Sequence, residues 1–156
     1  MTDHTASSAS TQGALVNGVH DVAEVPWYAA FPKPRDDPKA IDQKSVLQLL
    51  KSHPPSENLK GGTISGSINL PAQSLWPSIP ALYSIFKAAG VRRVIWYCGS
   101  SCHRGARAAG WFGDYLAEQH DSEMMSLVLT GGVNAWAASG GEHVRLMEGY
   151  DESVWP

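Results

Sequence analysis

Cys98 and Arg104 close the two ends of one short segment, Cys98-Gly99-Ser100-Ser101-Cys102-His103-Arg104. A thiol attacks as the thiolate, and a helix N-terminus or a neighbouring arginine favours that ionised form. An apolar run from Val91 to Tyr97 leads into the segment, and a helix-like stretch from Gly105 leads out of it. That order sets a thiol at a strand end against the N–H groups that open a helix, where about half a positive charge gathers. Gly99, Ser100 and Ser101 lack bulk, so the backbone can curl around a ligand. Arg104 can hold two oxygens of an anion side by side. Cys98 and Arg104 are the candidate catalytic pair, and Gly99, Ser100, Ser101, Cys102, His103 and Gly105 the candidate substrate-binding cradle. The competing reading makes Cys98 a small buried hydrophobe and Arg104 a solvated charge. It leaves the spacing of thiol, arginine and helix start unexplained.

Other residues are weaker candidates. His103 could donate a proton or merely flank the arginine. Asp114 reads as a solvent-facing helix residue, with general acid as its minor alternative. Cys102 reads as a loop filler; the alternative is a second thiol that resolves an oxidised Cys98, which needs the two Cα atoms within ~7 Å. Arg107 suits support of the loop or pairing with a carboxylate better than substrate binding. Trp111 and Trp136 read as core aromatics, and Trp76 as core or pocket rim. Arg92 and Arg93 read as solvated flanks of a strand. The six histidines show no metal-ligand spacing, so no metal is expected.

These groups need a scaffold. The 156 residues suit one domain, and 43% apolar residues suffice for a core. Charged residues make up 17% and net charge is −3, which points away from nucleic acid and anionic membranes. No apolar run approaches the ~18 residues of a membrane span, and no secretory leader is evident. Two cysteines four positions apart do not suggest a disulfide framework, so a reducing compartment, cytoplasm or nucleus, is expected.

Residues 1–20 are rich in Ser, Thr, Ala and Gly, and a disordered tail is expected over 1–24. Over 25–41 an extended arm is expected, with Trp27, Tyr28 and Phe31 docking on the domain; its four prolines argue against a central strand. The domain follows over 42–156. Asp42 or Ser45 can cap a short helix with Val46, Leu47, Leu49 and Leu50 on one face. His53 to Lys60 is turn-like, and Ser67 to Leu70 suggests a short strand stopped by Pro71. Pro77 fits the first turn of a helix with Leu82, Ile85, Phe86 and Ala89 on one face, ended by Gly90. Val91 to Tyr97 reads as a buried strand, and Ala108, Trp111, Phe112 and Tyr115 as a helix face. Ser126 to Leu129 suggests another strand, and Gly131-Gly132 a turn into a helix around Val133 to Ala138. Strands alternating with helices imply an α/β layer fold with a largely parallel sheet.

Cys-x5-Arg followed by Gly105 and Arg107, between strand and helix, resembles the rhodanese superfamily. Within it, the chain looks most like the branch of the M-phase-inducer dual-specificity phosphatases and eukaryotic arsenate reductases. Gly61-Gly62-Thr63-Ile64-Ser65-Gly66-Ser67-Ile68-Asn69-Leu70-Pro71 resembles a glycine-rich rhodanese segment, Gly-His-Ile-x-Gly-Ala-x-Asn-Ile-Pro. Leu129-Thr130-Gly131-Gly132-Val133-x-x-Trp136 resembles the family's later Leu-x-Gly-Gly-(Ile/Val)-x-x-Trp. The likeness runs roughly from Asp42 to Gly140. It implies a rhodanese-like three-layer fold with a central, mostly parallel sheet. Family members carry a strand ending in Asp-x-Arg before the glycine-rich segment; here no Asp-x-Arg occurs and His53–Lys60 runs directly into Gly61. The expected sheet therefore lacks one central strand, and the N-terminal aromatic arm could fill part of that gap.

The resemblance also implies chemistry. Sulfurtransferase members typically have Cys-x4-Arg, whereas the phosphatase and arsenate reductase branch has Cys-x5-Arg, as here. Cys98 would attack phosphorus or arsenic while Arg104 steadies the equatorial oxygens. The expected function is cysteine-dependent catalysis on a phosphate- or arsenate-type oxyanion or a phosphoprotein, with no bound cofactor. An arsenate reductase would take glutathione or glutaredoxin as reductant. The alternatives are a thiosulfate-type sulfurtransferase and a non-catalytic or inactive shortened module.

Overall fold

The computed structural model describes residues 25–52 and 63–155. The tail expected over 1–24, the turn-like stretch His53–Lys60 and Gly61-Gly62 of the glycine-rich segment lie outside these residues. The described elements run in the order β1 (Lys39–Ile41), α1 (Gln43–Ser52), β2 (Thr63–Ile64), a 3-10 turn (Ala72–Ser74), α2 (Leu75–Ala88), β3 (Arg93–Trp96), α3 (Arg104–Glu118), β4 (Met125–Leu129), α4 (Gly132–Ala138), α5 (Gly141–Arg145) and β5 (Met147–Glu148).

The fold is α/β. A three-stranded parallel sheet of order β1-β4-β3 lies between helices, and β2 and β5 form a small antiparallel ladder. Strand alternation decides what each face covers. On β3 and β4, Trp96 and Val128 point into one core, packed by Leu75, Ile79 and Tyr83 of α2 and by Ala108, Trp111, Phe112 and Leu116 of α3. Ile95 and Leu129 belong to the opposite core, packed by Val46 and Leu47 of α1 and by Val133, Trp136 and Ala137 of α4. Phe112, Leu129 and Trp136 are fully buried, each worth about 2–3 kcal/mol of apolar burial. One polar group crosses the first core and is satisfied there. The indole N–H of Trp96 donates to Ser126 Oγ at 3.1 Å, and that hydroxyl donates to the carbonyl of Ala109 at 2.7 Å.

Helix ends follow the sequence. Asp42 accepts from Ser45 N at 2.8 Å and from its hydroxyl at 3.0 Å, which caps α1 and holds the Asp42 carboxyl below its usual range. Gly90 ends α2 with φ +70°, and Val91 N–H bonds back to the carbonyl of Phe86.

Several expectations need correction. Lys39–Ile41 leaves the arm to pair in parallel with Leu127–Leu129, so the sheet begins before Asp42. The arm is not extended throughout, because Pro26 opens a turn in which Ala29 N–H reaches the carbonyl of Pro26. Ser67–Leu70 forms no strand. The ladder lies just before it, at Thr63–Ile64, and a turn at Ser65-Gly66 carries the chain off the sheet. The buried stripe of α2 is Leu75, Ile79 and Tyr83, while Ile85 is 62% exposed. Pro77 sits in the first turn, as the spacing suggests, and Pro80 lies inside the helix.

The arm closes the first core. Trp27, Phe31 and Trp76 meet Trp111 edge-on at 6.2, 5.8 and 5.4 Å between centroids. Each such pair contributes about 0.5–1.5 kcal/mol beyond its area. Trp111 Nε1 donates to the carbonyl of Pro32 at 2.7 Å. No helix among the described residues is long and apolar enough to cross a membrane.

Asp121 joins α2 to the turn before β4. It accepts from Lys87 Nζ at 2.9 Å, Tyr83 OH at 3.0 Å, Glu123 N at 2.9 Å and Met124 N at 3.1 Å, and its side chain is 2% exposed. Lys87, then the Met124 and Glu123 amides, hold this carboxyl well below its ordinary value of 3.8. A depressed folded value means the contribution is complete above the unfolded value and is lost as pH falls through the folded one. Asp121→Asn is therefore expected to lower stability at neutral pH, with a deficit that shrinks below about pH 4. Urea unfolding of both proteins at about pH 7 and pH 3 reads this, and a deficit constant with pH contradicts it.

Candidate active site

Strand β3 ends one residue before Cys98's neighbour Tyr97, and α3 opens at Arg104, so the loop is strung between a strand end and a helix start. The backbone N–H of Gly105 donates to Cys98 Sγ at 3.4 Å. The thiol thus lies over the first turn of a fifteen-residue helix, at its positive end. Among the described residues no side chain caps that end: His103 occupies the N-cap without a side-chain hydrogen bond, and the first turn holds no acidic residue.

Gly105 is tightly packed. A Cβ there would sit 3.1 Å from Tyr97 Cα and 3.2 Å from both Cys98 N and Ser101 Oγ, so helix and strand end touch backbone to backbone. Ser101 is buried with φ +59°, a conformation that costs a non-glycine residue about 1–3 kcal/mol. Its hydroxyl accepts from Cys98 N at 3.4 Å, and Ser100 Oγ accepts from Cys102 N at 3.4 Å. These bonds hold the loop's bend from within.

The loop is also held from behind. Val133 N donates to the carbonyl of Cys98 at 3.0 Å, and Asn134 N to that of Gly99 at 2.9 Å. The first turn of α4 therefore takes up two loop carbonyls. This contact requires Gly132, whose φ is +60° and whose hypothetical Cβ would lie 2.3 Å from Cys98 O and 2.4 Å from Gly99 O. The spacing of Gly131-Gly132 marks a turn, but not its docking on a loop more than thirty residues earlier.

A cleft of about 360 Å³ opens beside the thiol. Cys98, Gly99, Arg104 and Gly105 line it, so these four candidates come together. Ser100, Ser101, Cys102 and His103 do not line it: Ser101 is buried within the loop, and Cys102 and His103 are exposed. The opposite wall is Ser67 to Gln73, with Asn69 and Gln73 as its amide side chains. The sequence offered no chemical signal for that wall beyond the glycine-rich segment. Tyr97 closes the floor, donating to Ser67 Oγ at 2.6 Å, and burial pushes its hydroxyl above the ordinary value. Among the described residues, no carboxylate and no histidine lines it.

The remaining candidates sit elsewhere. Asp114 accepts the backbone N–H of Arg35 at 2.9 Å and lines grooves away from the thiol. Arg107 lies over the Tyr28 ring at 3.8 Å, so it grips the arm through an aromatic face and not through a carboxylate. Trp76 packs on Trp111 and does not line the thiol's cleft. Arg92 faces Glu123 at 3.8 Å with both side chains exposed, a contact of small consequence. Among the described residues no group of three or more His, Cys, Asp or Glu could hold a metal ion.

Gly132→Ala tests the rear anchor. It is expected to destabilise the protein clearly more than Gly90→Ala, which shares the left-handed φ but has nothing within 4 Å. The latter should cost about 1–2 kcal/mol, the price of that backbone conformation alone. Equal losses in urea unfolding would show that the close approach to the loop carries no weight.

Compared with known proteins, the chain matches no family model, no curated protein and no solved structure.

Proposed function

We propose that the protein is a cysteine-dependent phosphatase acting on phosphate monoesters, with the rhodanese-like fold of the branch its loop resembles. The observation that carries this reading is the Gly105 N–H aimed at Cys98 Sγ at 3.4 Å, with Arg104 on the same cleft. A parallel sheet with helices on both faces is consistent with that branch.

The chemistry follows from the parts. The Cys98 thiolate attacks phosphorus, the S–P bond forms, and the ester P–O bond breaks. Arg104 and the amides opening α3 hold the equatorial oxygens as charge shifts onto them. The leaving group departs with the bonding pair and takes its proton from water. A second water then attacks phosphorus, breaks the S–P bond and releases inorganic phosphate, which restores the thiolate. The described residues of the lining contribute no general acid, so esters of good leaving groups, aryl phosphates above all, are the favoured substrates.

A second reading rests on Cys102, an exposed free thiol in the same loop. An arsenate reductase needs a second thiol that attacks the sulfur of an arsenylated Cys98, so that a disulfide forms, the S–As bond breaks with its electron pair on arsenic and arsenite leaves; glutathione or glutaredoxin then reduces the disulfide. Thiol-dependent loss of arsenate that fails in Cys102→Ser would favour it. Sulfane transfer from thiosulfate to cyanide would instead favour a sulfurtransferase.

Aryl phosphate hydrolysis by the full chain is the direct test. Cys98→Ser is expected to abolish it, and Arg104→Lys to lower kcat/KM by about 100-fold or more. Full activity in Cys98→Ser would overturn the proposal.

A further inference from the structure

Strand β3 has one partner, β4, among the described residues. Met125 N–H donates to the carbonyl of Arg92, and the register sets Arg93 beside Met125 and Trp96 beside Val128. A parallel ladder uses alternate residues of a strand. Arg92, Val94 and Trp96 therefore turn their backbone groups toward β4, and Arg93, Ile95 and Tyr97 turn theirs outward. Along this outward side runs a groove of about 330 Å³. Val46, Leu50 and Ile64 wall it on the α1 face, and Phe86 and Val91 on the α2 face.

The groove does not end blindly. Ser67, Ile68, Leu70, Trp96 and Tyr97 line both it and the cleft that holds Cys98. A backbone laid along β3 runs ~4.8 Å from it. The residue beside Tyr97 is then followed by one at the mouth of the Cys98 cleft. At the far end stands Arg93, exposed and lining the groove.

We infer that this edge is a substrate-binding surface, where an extended peptide adds as a strand to β3 and delivers a phosphorylated residue to Cys98. The inference rests on the phosphatase reading and names its substrate class. Apolar walls on both faces call for apolar side chains at successive positions, as in any strand covered on both sides. Arg93 calls for an acidic residue at the end away from the phosphate. Phosphotyrosine suits a cleft without a general acid, because a phenolate leaves readily.

The test separates binding from turnover. Fluorescent Glu-Val-Thr-Val-Val-pTyr and the reverse-order peptide are titrated into full-length Cys98→Ser protein, each beside a version N-methylated at alternate amides. Removing two or more ladder bonds while keeping every side chain is expected to weaken the better of the two by about tenfold or more. Leu50→Gln, outside the cleft, is expected to weaken the same peptide while wild-type-like aryl phosphate hydrolysis persists in a Leu50→Gln enzyme with Cys98 intact. Equal affinity for methylated and unmethylated peptides overturns the inference. So does strong exchange protection of the Ile95 and Tyr97 amides in the free protein, which would mean that another segment of this chain or a second copy already occupies the edge. Loss of aryl phosphate turnover in the unmodified protein, with peptide binding intact, counts against the phosphatase reading alone.

Discussion

The loop carrying Cys98 keeps its shape because the first turn of α4 takes two of its carbonyls. A seven-residue bend between a strand and a helix leaves many backbone groups without regular partners, and each buried one must be satisfied. Val133 and Asn134 supply N–H donors to Cys98 and Gly99, and the absence of a side chain at Gly132 lets them come close enough. Gly105 plays the matching part at the front, where α3 meets the strand end at van der Waals distance. The thiol's position is thus set by two glycines on two helices, and the polar loop residues between them serve mainly to hold the bend.

Helix α3 links this site to the rest of the molecule. Its first turn faces the sulfur, and its middle carries Trp111 and Phe112 into the core beneath the arm. The arm grips the same helix from outside. Pro34 packs so closely on Gly110 that a Cβ there would lie 2.6 Å away, and Arg107 lies on Tyr28. Orientation of the amide that meets Cys98 is therefore coupled, through one rigid helix, to aromatic packing on its far side.

Much of the site was legible in the sequence because it is local. Strand, loop and helix follow one another without interruption from Val91 to Glu118, so the approach of Gly105 to Cys98 could be read from spacing alone. The wall from Ser67 to Gln73 and the anchor at Gly132 could not, since both are tertiary contacts across long stretches of chain. The same distinction explains the fold. Helices α1 to α4 and strands β3 and β4 carry clear apolar patterns. Strand β1 is three residues, Lys-Ala-Ile, with no alternation to detect, and its pairing comes from β4. Strands β2 and β5 are two residues each and exist only as each other's partners. On α2 the apolar residues cover more than one face, and the sheet, not the helix, chose Leu75, Ile79 and Tyr83 for burial.

The bare start of α3 has a thermodynamic meaning. With no cap side chain and no acidic residue in its first turn, the helix reaches its native state with amides that lack an intrahelical acceptor. An oxyanion seated beside Cys98 would serve as the cap that the sequence omits. Ligand and helix would then be linked as reciprocal stabilisers, the anion tightening the fold and the fold's stability setting part of the anion's affinity.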